Sequence, residues 1–230
     1  MTSEQPEQNE NAHPAEPAQR PAYAERCYRS PAGMAGGVLL LALGVWLGVE
    51  AALTGSGRTP WIALAGLLFM APLVVAYTLR PAVHAGDERL RVRNPFRTVT
   101  VPWGTVESVR SGYSSEVVAD GTKYQLWAIP VSLRARKRAA RHNERVASGR
   151  PPARGGGLFG LGGAPAVATP EDTEEKRAPS DRTIDELREL AEQHADSPPA
   201  QGHVTVRWAY EILGPAALGA AALVVLYVMR

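Results

Sequence analysis

Three long apolar blocks interrupt an otherwise polar chain. Residues 34–53, 61–79 and 212–229 each approach the ~20 residues that a helix needs to cross ~30 Å of hydrocarbon. A helix is the form in which an open chain satisfies its own backbone there. Aromatic side chains typical of membrane interfaces lie near the block ends: Trp61, Tyr77, Trp208, Tyr210 and Tyr227. The pattern predicts a transmembrane hairpin at residues 34–79 and a third transmembrane helix within residues 208–229.

Two of these blocks leave questions open. The third is shorter and rich in alanine, so a buried helix of a soluble domain is its alternative interpretation. The first contains Glu50, the only charge inside a predicted span. Intramembrane carboxylates are often functional, but this one lies three residues from the outer end. We therefore favour a side chain that reaches interfacial water.

Between the second and third blocks, the apolar positions alternate as in short β-strands. Leu90 and Val92 alternate with arginines, and Val99, Val101 and Trp103 alternate with Thr and Pro. Asp120-Gly121 is a strong hairpin signal, and the apolar run 124–129 ends at Pro130. Residues 80–132 are therefore predicted to form a small antiparallel sheet. Its predicted core consists of Leu90, Val92, Val99, Val101 and Trp103.

One amphipathic helix is predicted after this sheet, at residues 181–196. Thr183 and Glu186 have the spacing of a capping box. Apolar side chains recur on one face, at Ile184, Leu187, Leu190 and Ala191. Such a face needs an apolar surface to cover, and the predicted sheet supplies one.

The segment at residues 80–109 reads RPAVHAGDERLRVRNPFRTVTVPWGTVESV and directly follows two apolar blocks. This arrangement resembles the bacterial PH-like domain of the low molecular weight protein antigen 6 family. The resemblance covers about residues 81–131, together with the helix at 183–194. It implies a bent antiparallel sheet with a C-terminal helix, and here a long polar stretch is inserted before that helix. The family carries no catalytic motif to transfer. The expected fold class is membrane α plus a small mostly-β domain.

Two polar regions are predicted to be disordered. Residues 1–33 form an acidic tail rich in Pro, Gln and Ala. Residues 133–180 form an insertion that is first basic and then Gly-rich and acidic. Its first part, residues 133–150, carries seven Arg or Lys against the single acid Glu144. Residues 80–150 have a net charge of +8 and residues 151–200 one of −5, so the two stretches attract each other.

The basic block has three interpretations. It is a solvated positive-inside segment, an anionic-lipid contact, or a nucleic-acid contact. No base-reading motif or interleaved aromatic residue supports the last, so no nucleic-acid partner is predicted. The candidate anionic-lipid contacts are Arg134, Arg136, Lys137, Arg138 and Arg141.

The distribution of Arg and Lys predicts the orientation. Basic residues precede the first block and follow the second, whereas the connecting loop carries only Arg58. We therefore expect a multi-pass protein of the cell membrane. Its N-terminus and β domain would be cytoplasmic.

Candidate chemistry is sparse. Cys27 is the only cysteine, so no intrachain disulfide forms, and the five histidines have no paired ligand spacing. We predict no cofactor, metal or catalytic site. The first hypothesis is a non-enzymatic, membrane-anchored PH-like module that contacts lipid or protein at the inner membrane face. The alternative is an accessory subunit of a larger membrane complex, packed through the small residues at 214–222. An enzyme or transporter has least support.

Overall fold

The computed structural model describes residues 25–148 and 176–229. It contains three helices that are long and apolar enough to cross a membrane. These are α1 (Pro31–Thr54), α2 (Thr59–Val74) with a π-helical continuation at Val75–Leu79, and α5 (Tyr210–Val228). The three predicted membrane helices are confirmed at the level of length and composition.

Helix α2 packs against both α1 and α5. The contact with α5 depends on Gly219, where a Cβ would lie 2.7 Å from Phe69 Cα. Any larger side chain would push the two helices apart, so glycine permits their close packing. The small-residue segment 214–222 of α5 therefore packs, at Gly219, against α2 of the same chain.

Within the described residues, the polar part of the chain forms two antiparallel sheets. The first contains five strands in the order β1-β2-β3-β4-β8: β1 (Arg26–Tyr28), β2 (Ala82–Ala85), β3 (Arg89–Arg93), β4 (Arg97–Pro102) and β8 (Thr205–Trp208). The second contains β5 (Val106–Ser111), β6 (Ser115–Ala119) and β7 (Thr122–Gln125). The described polar residues also form two helices, α3 (Leu133–Ala147) and α4 (Pro179–His194). The predicted fold class, with its small antiparallel sheet domain and C-terminal helix, is confirmed.

The two sheets and α4 enclose one apolar core. Strand register places Leu90 opposite Val101 and Val92 opposite Val99, and all four are fully buried. Trp103 is 1% exposed, and its indole Nε1–H donates to the Gly86 carbonyl at 2.8 Å. Helix α4 contributes its apolar face to the same core: Ile184, Leu187 and Leu190.

Strand β1 is joined to α4 by its side chains. The Tyr28 hydroxyl donates to Glu186 Oε2 at 2.8 Å. Burial, with a further contribution from Glu186, raises the pKa of Tyr28 to about 12. The hydroxyl therefore keeps its proton through the neutral pH range and remains a donor.

Each apolar helix continues into the five-stranded sheet through a very short connection. Two residues separate β1 from α1, two separate the π-helical turn from β2, and one separates β8 from α5. Arg80, in the second connection, donates to the Asn94 carbonyl at 3.2 Å, to Thr98 Oγ1 at 3.2 Å and to Glu211 Oε1 at 2.7 Å. These contacts tie the connection to the sheet and to α5. We expect little freedom of rotation between helices and sheet.

This attachment gives the β domain two distinct ends. We call the end that meets the apolar helices the proximal end; it holds the β3–β4 turn, the β5–β6 turn and Trp127. The Trp127 ring lies 5.7 Å from that of Tyr77 at the end of α2. The opposite, distal end holds the β2–β3 turn at residues 86–88 and the β6–β7 turn at residues 120–121.

Several sequence-based predictions are corrected. Residues 133–147 are the helix α3, because Ser132 caps its first turn by accepting from the Ala135 amide at 3.2 Å. Residues 26–28 of the predicted disordered tail form β1, because their backbone pairs with β2. The rest of the Gly-rich and acidic segment, at residues 149–175, and residues 1–24 lie outside the described residues.

Two predicted boundaries were also wrong. The apolar run 124–129 leaves the strand after Gln125, and the Ile129 amide then donates to the Leu126 carbonyl in a turn. Tyr124, Leu126, Ala128 and Ile129 are buried in the core, whereas Trp127 is 44% exposed. Helix α4 begins at Pro179, so Thr183 lies inside it and donates to the Pro179 carbonyl instead of forming a capping box.

We expect Trp103→Ala to lower the free energy of unfolding of the β domain by about 3–5 kcal/mol, because it leaves a cavity and an unpaired Gly86 carbonyl. Thermal unfolding of the full chain in detergent measures this. Trp46→Ala is the matched control, because Trp46 is exposed on α1. Equal melting temperatures for the two variants would contradict the assignment of Trp103 to the core.

Candidate functional site

Arg136 on α3 ties that helix to the rest of the domain. Its guanidinium donates to both Asp181 carboxylate oxygens, with distances of 2.6 and 3.0 Å, and to the Ser111 and Gly112 carbonyls at 3.1 and 2.8 Å. The hydrogen bond from Arg136 holds the pKa of the Asp181 carboxyl below its ordinary value. Arg136 therefore has a structural position, and its donors are used within the domain, which leaves them less available to lipid than those of the other predicted residues.

Four other arginines line one face of α3. They recur at helical spacings of four, three and four residues: Arg134, Arg138, Arg141 and Arg145. All four are exposed. Within residues 25–148 and 176–229, no acceptor is in hydrogen-bonding or ion-pair distance of their guanidinium groups. They form a continuous cationic stripe.

The stripe faces the segment that leads into α4, and the two enclose an open groove of about 690 Å³. Lys176, Arg177 and the first residues of α4 line its other wall. Asn143 fixes that wall, because its amide oxygen accepts from the Lys176 amide at 2.8 Å and its amide nitrogen donates to the Lys176 carbonyl at 3.1 Å. We call this feature the basic groove.

The predicted lipid-contact residues thus separate into three groups. Arg134, Arg138 and Arg141 line the basic groove, Arg136 holds the fold, and Lys137 is exposed outside the groove. Three groove residues were not predicted: Arg145, Lys176 and Arg177. Helical periodicity would have found Arg145, whereas the other two are brought in from 33 or more residues away in the sequence.

The basic groove lies near the proximal end of the β domain. Arg136, two residues from Arg134 and Arg138 of the groove stripe, contacts the β5–β6 turn at Gly112. That turn is adjacent to the segment carrying Trp127, because the Leu126 amide donates to the Ser115 carbonyl at 2.8 Å. Two apolar or aromatic side chains are exposed beside it: Tyr113, 98% exposed, and Leu133.

Basic side chains are prominent at the proximal end of the β domain, whereas the distal end carries charges of both signs. The register of the five-stranded sheet places basic side chains toward the proximal end: Arg29, Arg93, Arg97 and Arg207. The distal turns carry the carboxylates Asp87, Glu88 and Asp120, and two basic residues flank them: Arg89, which pairs with Glu88, and Lys123. With the basic groove added, the proximal end is strongly positive.

One cluster superficially resembles a nucleophile with a base. His84 Nε2 lies 3.9 Å from the exposed Cys27 thiol, and its Nδ1 lies 3.6 Å from Glu25 Oε1. The second distance is too long for the hydrogen bond that orients a catalytic imidazole. Burial lowers the pKa of His84, so its ring is neutral at neutral pH. Across the described ranges, no group of three metal-ligating side chains is present.

Comparison with known proteins supports the fold. The sequence family described as Bacterial PH domain matches residues 80–154, which cover the chain from Arg80 through α3. No curated protein and no solved structure matches the chain. The chain therefore contains a bacterial PH-like domain, joined here to three apolar helices that indicate a membrane protein.

We expect Asp181→Asn to lower the free energy of unfolding by about 1–2 kcal/mol at neutral pH, because Arg136 loses a charged acceptor. Since the Asp181 pKa is depressed in the folded state, its contribution is present above the ordinary carboxyl pKa. It is lost as pH falls through the folded value.

Unfolding measured as a function of pH tests this prediction. The wild-type and Asp181→Asn curves should converge in acid. Asp196→Asn is the control, because Asp196 is exposed and makes no ion pair among the described residues. A constant difference between the Asp181→Asn and wild-type curves at all pH values would contradict the role of the carboxylate charge.

Proposed function

We propose that the protein is a non-enzymatic, membrane-anchored interaction module that presents its PH-like domain to the inner face of the cell membrane. The proximal end contacts the anionic lipid of the same bilayer. PH-like domains are in general interaction modules and not catalysts, which supports the non-enzymatic assignment. We also propose that the module belongs with the antigen 6 family, on the residue pattern at 80–109.

The observation that carries this proposal is the attachment of all three apolar helices to one sheet by one or two residues. If the helices span the bilayer, the proximal end lies at its surface. That end carries the basic groove, the basic side chains of the sheet, and exposed aromatic residues. Each Lys or Arg near an anionic leaflet contributes about 1 kcal/mol of attraction.

The inner-face placement is supported by the distribution of charge. Basic residues are concentrated on the side of the helices that carries the PH-like domain, whereas the α1–α2 loop carries only Arg58. Anionic lipid is also a feature of the cytoplasmic leaflet. The two arguments agree on a cytoplasmic domain and N-terminus.

The alternative is an accessory subunit of a larger membrane complex. Gly36, Gly44, Gly66 and Gly214 favour it, because a Cβ at any of them would meet nothing within 4 Å. These positions leave room for a close-packed partner helix. Gly219 does not support this alternative, because it already packs against Phe69 of the same chain and leaves no room for a partner helix. A stoichiometric complex isolated from the native membrane would favour this alternative.

A fluorescent probe tests contact between the proximal end and lipid. In a Cys27→Ser background, we expect an environment-sensitive dye at Tyr113→Cys to shift to the blue in nanodiscs that contain anionic lipid. The shift should diminish at high salt and in the quadruple variant Arg134→Gln, Lys137→Gln, Arg138→Gln, Arg141→Gln. Thr122→Cys, exposed at the distal end, is the matched control and should not respond.

If the two dye positions gave the same response, the proposed orientation of the domain would be wrong. The same conclusion follows if neither responds to anionic lipid. In either case the search would move to a protein partner.

The native cysteine tests the topology. Cys27 is the only cysteine and is exposed beside the start of α1. We expect a membrane-impermeant maleimide to label it only after intact cells are permeabilised. In the Cys27→Ser, Ser56→Cys variant the thiol lies in the α1–α2 loop and should be labelled in intact cells. Labelling of Cys27 from outside would place the domain on the other face.

A further inference from the structure

The basic groove keeps like charges together without neutralising them. Arg134, Arg138, Arg141 and Arg145 have no acceptor among the described residues, although they share one helix face. Arg136, on the same helix, has Asp181 and two carbonyls around its guanidinium. The structure therefore distinguishes an arginine that holds the fold from arginines whose donors are available to a ligand.

Both walls of the basic groove are fixed by contacts that do not use the groove arginines. Asn143 holds the Lys176 backbone with two hydrogen bonds, and Arg136 holds Asp181 at the start of α4. Arg177 already uses one donor within the chain, because its guanidinium forms an ion pair with Asp185 at 2.6 Å. The positive end of the α4 helix dipole adds to the potential, since Pro179 lines the groove. The site is formed before any anion binds.

The spacing of the arginines indicates the size of the anion. The four arginines extend along about 16 Å of helix, at 1.5 Å per residue. Each arginine of the stripe is three or four residues from the next, so the Cβ atoms of successive arginines are about 5–6 Å apart. A guanidinium donates two parallel hydrogen bonds to a phosphate. One phosphate can contact two successive arginines, and a stripe of four arginines is long enough for two phosphates.

We propose that the basic groove binds the headgroup of a lipid that carries two phosphate groups. One phosphate lies against Arg134 and Arg138, and the other against Arg141 and Arg145. This inference rests on the proposed function and specifies the lipid for it. The lipid source is favoured over a soluble bisphosphate because the groove lies near the proximal end. Exposed Leu133 and Tyr113 lie beside it and can contact acyl chains.

Native mass spectrometry of the full chain in detergent tests the proposal, with cardiolipin and phosphatidylglycerol as probes. These lipids carry two phosphates and one phosphate, and are compared at equal total phosphate. We expect one cardiolipin to bind at least about tenfold more tightly than phosphatidylglycerol, because it can occupy both arginine pairs.

Variants localise the binding. Arg138→Gln and Arg141→Gln should each weaken cardiolipin binding roughly tenfold. Arg138→Lys should also weaken it, because lysine keeps the charge and loses the two parallel donors. Lys137→Gln is the matched control, because it removes one charge from α3 outside the basic groove. Melting curves establish that all four variants are folded.

Three results would overturn the proposal. The first is equal affinity for the two lipids at matched phosphate. The second is equal weakening by Lys137→Gln and Arg138→Gln, which indicates diffuse attraction. The third is binding of glycerol bisphosphate as tight as that of cardiolipin, which indicates a soluble ligand. The first two leave the lipid response of the Tyr113→Cys probe intact, whereas loss of that response means that the proposed function itself has failed.

Discussion

The short connections between the apolar helices and the five-stranded sheet constrain everything else in this molecule. One residue connects β8 to α5, and two residues connect the sheet to each of the other helices. Connections this short restrict rotation of the domain relative to the helices. Arg80 strengthens the constraint, because its guanidinium joins the second connection to Asn94, Thr98 and Glu211. The domain therefore has one end that meets the helices and one that points away.

This constraint also determines which strand edges are open. Strands β1 and β8 are the edges of the five-stranded sheet, and each runs directly into an apolar helix. The edge of β5 is contacted by α4, where Arg188 Nε donates to the Val109 carbonyl at 2.7 Å. This contact restricts strand addition at β5, whereas β7 is the other edge of the three-stranded sheet and all four residues of β8 are exposed.

The sequence was sufficient for elements whose pattern is local. Alternation identified the buried positions from Leu90 to Trp103, and length with composition identified the apolar helices. It failed where a distant contact decides the structure. Residues 26–28 become a strand only because β2 is beside them, and β8 only because β4 is. The basic groove forms because Lys176 lies beside Asn143, a contact that the sequence does not reveal. The sequence also does not distinguish the structural role of Arg136 from the roles of the neighbouring arginines, because that role depends on its contact with Asp181.

The central claim is that the proximal end of the PH-like domain lies against the bilayer and the distal end does not. Amide resonances of the full chain, measured in nanodiscs with spin-labelled lipid headgroups, test it without any substitution. The account predicts strong broadening at residues 111–113 and 127, and none at residues 86–88 and 120–122. Uniform broadening, or a gradient in the opposite direction, would contradict the account.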